Sequence, residues 1–183
     1  VAGMMGVEHI NNLAITPGAV VTALADPVDS SLAMSRKALG ERAEKVTACA
    51  DVAARAKFGL VYAVIVASPS HTHRRVLEPL FDAGLATLCE KPLATTLDDA
   101  RWVAERAAQS PAPFWTAMEY RYMPPVAEFI AQLHAGRVGG LRMLSIREHR
   151  FPFLKKVGDW NRFSRNTGGF MVEKCCHDFD ILN

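Results

Sequence analysis

Apolar residues fall into helical spacing directly after the first glycines. Val7, Ile10, Leu13 and Ala14 share one face, and Pro17-Gly18 ends the run. Residues 19–25 then run apolar and β-branched into Asp26-Pro27, the pattern of a buried strand. Ser30 or Ser31 can cap a helix reaching Leu39, with Gly40 behind it. Residues 46–50 predict a short strand, and Asp51 can cap a short helix after it. The clearest buried strand spans residues 60–67; Ser68-Pro69-Ser70 turns it into a helix over about residues 71–83. Gly84 closes that helix, and residues 85–90 form a further strand that Lys91-Pro92 ends abruptly. Thr96-Leu97-Asp98-Asp99 resembles a capping box opening a helix with Leu97, Ala100, Val103, Ala104 and Ala107 on one face. Residues 114–118 predict another strand, and residues 124–135 a helix stopped by Gly136.

Strands and helices alternating at these lengths predict an α/β fold, a doubly wound parallel sheet of Rossmann type. Its first strand is missing, because Val1-Ala2-Gly3 leaves no room for one before the first helix. After Gly139-Gly140 the texture changes. Residues 141–151 predict a strand with one solvated face, residues 151–166 are aromatic, basic and irregular, and Gly168-Gly169 leads into a helix starting near Met171. The expected division is a nucleotide-binding domain over residues 1–119 and the beginning of a second α/β domain over residues 120–183.

Composition narrows the class. Half of the 183 residues are apolar and the net charge is +2, too balanced to argue for a nucleic-acid or membrane partner. No apolar run approaches the length of a membrane span. Cys49, Cys89, Cys175 and Cys176 make no C-x-x-C pair, so neither a disulfide framework nor a zinc ribbon is expected, and a reducing, cytoplasmic setting is the default.

Lys91 then becomes the focus. It stands at the carboxyl end of a strand, the edge of a parallel sheet where ligands bind, with Glu90 beside it. A lysine there is a candidate proton donor or acceptor. Gly3 and Gly6, bracketing Met4-Met5, fit the second and third glycines of a dinucleotide fingerprint; Val1 holds the place of the first. The amino terminus of the following helix offers free N–H groups to phosphates. Asp26 lies 20 residues past Gly6 and suits a ribose 2′-hydroxyl, which favours NAD, with NADP as the alternative. Glu173 and His177, four apart, would share a helix face, a spacing that suits a carboxylate orienting an imidazole. Cys175, Cys176 and His177 are adjacent and point in different directions on a helix, so no metal site is expected. The basic stretch from Arg147 to Lys156, with Phe151, Phe153 and Trp160 interleaved, is better taken as a strand face and loop over a site than as a nucleic-acid surface. Trp160 and Arg162 are candidates to shape a polar substrate pocket there.

Four motifs occur in order: Ser68-Pro69-Ser70-His71-Thr72-His73, Glu90-Lys91-Pro92, Tyr120-Arg121-Tyr122-Met123-Pro124, and Gly168-Gly169 running to His177-Asp178-Phe179-Asp180. Together they resemble the glucose–fructose oxidoreductase / inositol dehydrogenase (Gfo/Idh/MocA) family across the whole chain. The resemblance implies a Rossmann domain followed by an α/β domain with a mostly antiparallel sheet that forms oligomer contacts, hence a homo-oligomer when full length. It implies an NAD(P)-dependent dehydrogenase acting on a sugar, inositol or related polyhydroxylated substrate. Lys91 would contact substrate and nicotinamide and move a proton, and His177 would be the main acid/base group. Glu173 stands where the family usually has Asp. Ser68, Pro69 and His73 would line the cofactor site, Glu90 would touch the ribose or orient Lys91, and Tyr120 and Arg121 would face the substrate. The Lys91-Pro92 bond is a candidate for cis. The rival expectation is a non-catalytic nucleotide-binding protein or an inactive fragment. A chain lacking a central strand and the rest of its second domain is expected to be unstable alone.

Overall fold

The computed structural model describes residues 2–52, 61–149, 151–152 and 154–183. Gly3 is extended, and α1 (Met4–Ala14) begins directly after it, burying Gly6 and Ile10. β1 (Ala23–Ala25) and β2 (Thr47–Cys49) pair in parallel, joined by α2 (Asp29–Leu39). β3 (Ala63–Val66), β4 (Ala86–Cys89) and β5 (Phe114–Thr116) form a second parallel sheet in that order. α3 (His73–Asp82) joins β3 to β4, and α4 (Leu97–Gln109) joins β4 to β5. Parallel neighbours require such crossovers, so the alternating pattern carries the topology.

Each sheet has its own core. Ile10, Leu24, Leu39 and Val46 pack between α1, α2 and the first sheet. Val66, Leu77, Leu80, Phe81, Cys89 and Val103 pack beneath the second. Leu77 and Leu80 are fully buried, each contributing about 1.5–3 kcal/mol of apolar burial. Between β1 and β3 lies an apolar cavity of about 130 Å³ lined by both strands, Ile10 and Leu80. That gap explains why the strands are shorter than the apolar runs that predict them. Val21 and Val61 line it outside the ladders, and Tyr62 is almost wholly exposed.

Other expectations need correction. Neither Ser30 nor Ser31 caps α2; the helix starts at Asp29, and Asp26 Oδ1 instead accepts the Val28 N–H at 2.9 Å. On α4 the Thr96 hydroxyl does accept the Asp99 N–H, but Leu97 and Ala104 are exposed and Val103 carries the buried face. Residues 141–149 form no strand and are mostly exposed, since no neighbour among the described residues completes their backbone bonds. The helix Asp51 would cap lies largely outside the described residues. Among the described residues no helix is long and apolar enough to cross a membrane.

Beyond β5 the regular elements among the described residues are helices, including α5 (Pro124–His134), α6 (Ser164–Thr167), α7 (Phe170–Glu173) and α8 (Cys176–Leu182). No strand occurs among the described residues after β5, so the antiparallel sheet expected there is not formed by them. Gly168 turns the chain from α6 into α7 at φ 77°, and a Cβ there would lie 2.8 Å from Val172 Cγ1 and 3.0 Å from the Thr95 carbonyl oxygen. Only glycine fits.

Candidate active site

The end of β4 is pinned from both sides. The Glu90 N–H donates to Val66 O on β3, and Ala117 N–H donates to Cys89 O, both at 2.8 Å. The chain then leaves through a cis Lys91-Pro92 peptide. Pinning aims the half-buried Lys91 across the sheet edge, where its Nζ donates to the Glu173 carbonyl oxygen at 3.4 Å.

A cavity of about 1140 Å³ opens at this edge. Gly3, Met4 and Met5 bring the amino terminus of α1 to its wall; Gly3 carries no side-chain cap, so the first-turn N–H groups stay available. Gly6 faces the apolar gap instead, allowing α1 to approach the sheet. Asp26 lines the large cavity and is nearly buried; its Oδ2 accepts the Ala2 N–H at 2.9 Å. Each Asp26 oxygen therefore holds one backbone amide and keeps a further lone pair. Ser68 and Pro69 form the wall above β3, and Glu90, Lys91, Trp160 and Glu173 complete the other side.

His73 lies behind this wall. Its ring is fully buried, with Nε2 3.1 Å from Ser68 O and Nδ1 3.2 Å from Leu93 O and 3.5 Å from Cys89 Sγ. Burial pushes the imidazole below its ordinary pKa, outweighing the carbonyls that pull it up, so it braces the turn as a neutral ring. Burial and the nearby Glu90 push the Cys89 thiol up to about 12, which keeps it protonated.

Glu90 has a partner that the sequence pattern did not single out. His9 Nε2 lies 2.7 Å from Glu90 Oε1. Burial alone would raise the Glu90 carboxyl; the His9 hydrogen bond and the charges of His9 and Lys91 outweigh it and hold Glu90 below the usual carboxylate range. One signal was present: His9 follows Gly6 by three residues, on the helix face that must meet the sheet.

Glu173 and His177 do not share a helix. α7 ends at Glu173 and α8 begins at Cys176, so the four-residue spacing crosses a break. Glu173 lines the cavity, 3.9 Å from Lys174 Nζ. His177 is buried, stacked on Tyr120 at 3.9 Å between ring centroids, with Nε2 3.6 Å from Glu119 Oε1. The Tyr120 hydroxyl donates to Glu148 at 2.8 Å. Arg121 grips Asp180 with contacts of 2.6 and 2.7 Å, away from the cavity wall. Arg162 is exposed. Of the four expected substrate residues, Trp160 alone lines the cavity.

A nucleotide edge on a parallel sheet, with a lysine and a carboxylate facing it, is decided further by comparison. The model of an oxidoreductase family with an NAD-binding Rossmann fold, GFO_IDH_MocA, matches residues 2–118, and that of the family's C-terminal alpha/beta domain matches residues 130–183. The chain belongs to the Gfo/Idh/MocA oxidoreductase family. The inositol 2-dehydrogenase of Leifsonia xyli subsp. xyli is 38% identical over 187 residues, covering 99% of this chain and 50% of that protein. The rhizopine catabolism protein MocA of Rhizobium meliloti is 28% identical, covering 99% of this chain and 54% of that protein. Among solved structures, scyllo-inositol dehydrogenase from Lactobacillus casei with bound NAD(H) and scyllo-inositol superposes with a TM-score of 0.75 at 19% identity, over 98% of this chain and 52% of that one. Myo-inositol 2-dehydrogenase from Lactobacillus plantarum gives 0.78 at 17% identity, over 100% and 53%. At those identities the superpositions establish the Rossmann-type fold. The chain spans about half the length of the curated relatives it matches.

The residues present fit the family's NAD. The cavity exceeds the size of ordinary ligand pockets, and the buried Ser68 Oγ on its wall has no hydrogen-bond partner among the described residues. Gly3, Met4 and Met5 would hold the pyrophosphate, and Asp26 a ribose hydroxyl.

Proposed function

We propose that this protein is an NAD-dependent dehydrogenase that oxidises a secondary hydroxyl of a sugar, inositol or related polyol. The observation that carries the reading is Lys91: it stands at the end of β4, in one cavity with the α1 amino terminus, Asp26 and Glu173. Bound NAD supplies the hydride acceptor. The protein's own task is the proton. As the C–H bond gives up its hydride, the substrate O–H must lose a proton, and Lys91 is the positioned group that can take or relay it. Glu90, held by His9, keeps a negative charge beside Lys91. Glu173 offers its backbone carbonyl to Lys91 and its carboxylate to the cavity. His177 takes the main acid/base role on the strength of the family resemblance, with Tyr120 stacked on it to fix the ring. Asp26 favours NAD over NADP, because a second negative charge beside a 2′-phosphate is repulsive. We read residues 1–119 as the cofactor-binding unit and residues 120–183 as the beginning of the substrate unit.

The inositol dehydrogenases among the relatives support the polyol class. The test is the change in nicotinamide absorbance with a panel of cyclitols and sugars. Oxidation that disappears in Lys91→Ala and His177→Ala while NADH binding persists is expected. NADH binding with no hydride transfer from any polyol would instead favour a nucleotide-sensing protein.

A further inference from the structure

The segment from residue 154 to 162 closes on itself beside the cavity. Asn161 Nδ2 donates to Leu154 O at 3.1 Å, so the amide nitrogen is committed to the loop. Asn161 is 6% exposed and lines the cavity, and its Oδ1 has no hydrogen-bond partner among the described residues. Lys156 lines the same cavity. Its Nζ sits 4.7 Å from the centroid of the Trp160 ring, and Trp160 in turn meets His71 at 6.1 Å. That cation–π contact holds the lysine without neutralising it. Burial lowers the Lys156 pKa; Glu173 pulls it up and Lys91 pushes it further down.

The loop therefore offers a cationic donor and a buried acceptor to one cavity. A carboxylate or phosphate would answer Lys156 but leave the Asn161 oxygen unmet, since it carries no proton to give. The hydroxyls of a polyol answer both, accepting from the lysine and donating to the amide oxygen. We infer that Lys156 and Asn161 form a hydroxyl-binding subsite for the polyol, beyond the hydroxyl that reacts at Lys91, with Trp160 holding the lysine in place. The inference rests on the dehydrogenase reading above and names residues that determine specificity.

The test compares wild type with Lys156→Met and Asn161→Ala. The probes are myo-inositol, a set of its monodeoxy analogues, and glucuronate. Two quantities are measured: steady-state oxidation with NAD, and binding to the NADH-loaded protein by nicotinamide fluorescence. In Lys156→Met the KM for myo-inositol is expected to rise about tenfold or more, with kcat and NADH affinity little changed. Wild type is expected to penalise one deoxy position, and that penalty to vanish in Lys156→Met. Asn161→Ala should share the pattern; because Asn161 also closes the loop, Lys156→Met decides the test if Asn161→Ala fails to fold. Unchanged KM and unchanged deoxy penalties in Lys156→Met would overturn the subsite, as would a preference for glucuronate abolished by that change. Polyol binding that depends on Lys156 without turnover would sink the dehydrogenase reading alone. Turnover indifferent to Lys156 would sink the subsite alone.

Discussion

His9 Nε2 and Glu90 Oε1 lie 2.7 Å apart, although 81 positions separate them in the chain. The contact ties α1, whose amino terminus lines the large cavity, to the residue preceding Lys91. Both side chains are largely shielded from solvent, so the pair is weakly screened and orients Glu90 rather than merely decorating the surface.

Removing the imidazole leaves a buried carboxylate short of a donor. His9→Ala is expected to cost about 1–3 kcal/mol in urea denaturation, with His9→Gln restoring part of it. Glu90 titrates lower in the folded protein than in the unfolded chain. The stability from its ionised form is therefore full above the ordinary glutamate pKa and is lost as pH falls through the lowered folded value. A Glu90→Gln variant should lose less stability than wild type on acidification from about pH 5 downward.

His73 makes a second pH prediction, in a different window. Its folded pKa is lowered, so the folded state resists taking up a proton that the unfolded chain accepts. Stability is full above the ordinary histidine value of about 6.5 and declines as pH falls below it. The thermal midpoint should drop between about pH 7 and pH 5.5 by more in wild type than in His73→Asn.

Much of this was legible in the chain. The order of strands and helices, the Lys91 strand end and the Thr96 cap follow from local spacing and turn chemistry, and the structure forms them. The His9–Glu90 contact was not legible, because the packing of α1 against the sheet, not sequence proximity, makes it. The break between α7 and α8 was hidden too: Lys174 and Cys175 carry no helix-stopping signal, so Glu173 and His177 looked like one face. Residues 141–149 have the alternation of a strand, but alternation cannot supply the neighbour a strand needs.

Gly168 is a steric prediction. Gly168→Ala combines a left-handed backbone with a Cβ 2.8 Å from Val172 Cγ1. The expected loss is about 2–4 kcal/mol by chemical denaturation, and Val172→Ala in the same chain should recover little of it, because the Val172 Cβ at 2.9 Å and the Thr95 carbonyl oxygen at 3.0 Å remain.

The gap between β1 and β3 predicts how the 183-residue chain behaves by itself. Two sheets with facing edges and an apolar cavity between them expose surface that water does not solvate well. The chain is expected to bind a hydrophobic dye while folded. A single cooperative transition without dye binding would contradict this.

The central claim is that Lys91 takes part in moving the reacting proton beside bound NAD. Its most direct measurement is nicotinamide absorbance during polyol oxidation by wild type and Lys91→Ala, with NADH affinity measured on both. Turnover is expected to fall about 10²–10⁴-fold in Lys91→Ala at nearly unchanged NADH affinity. Turnover in Lys91→Ala equal to that of wild type would contradict the claim.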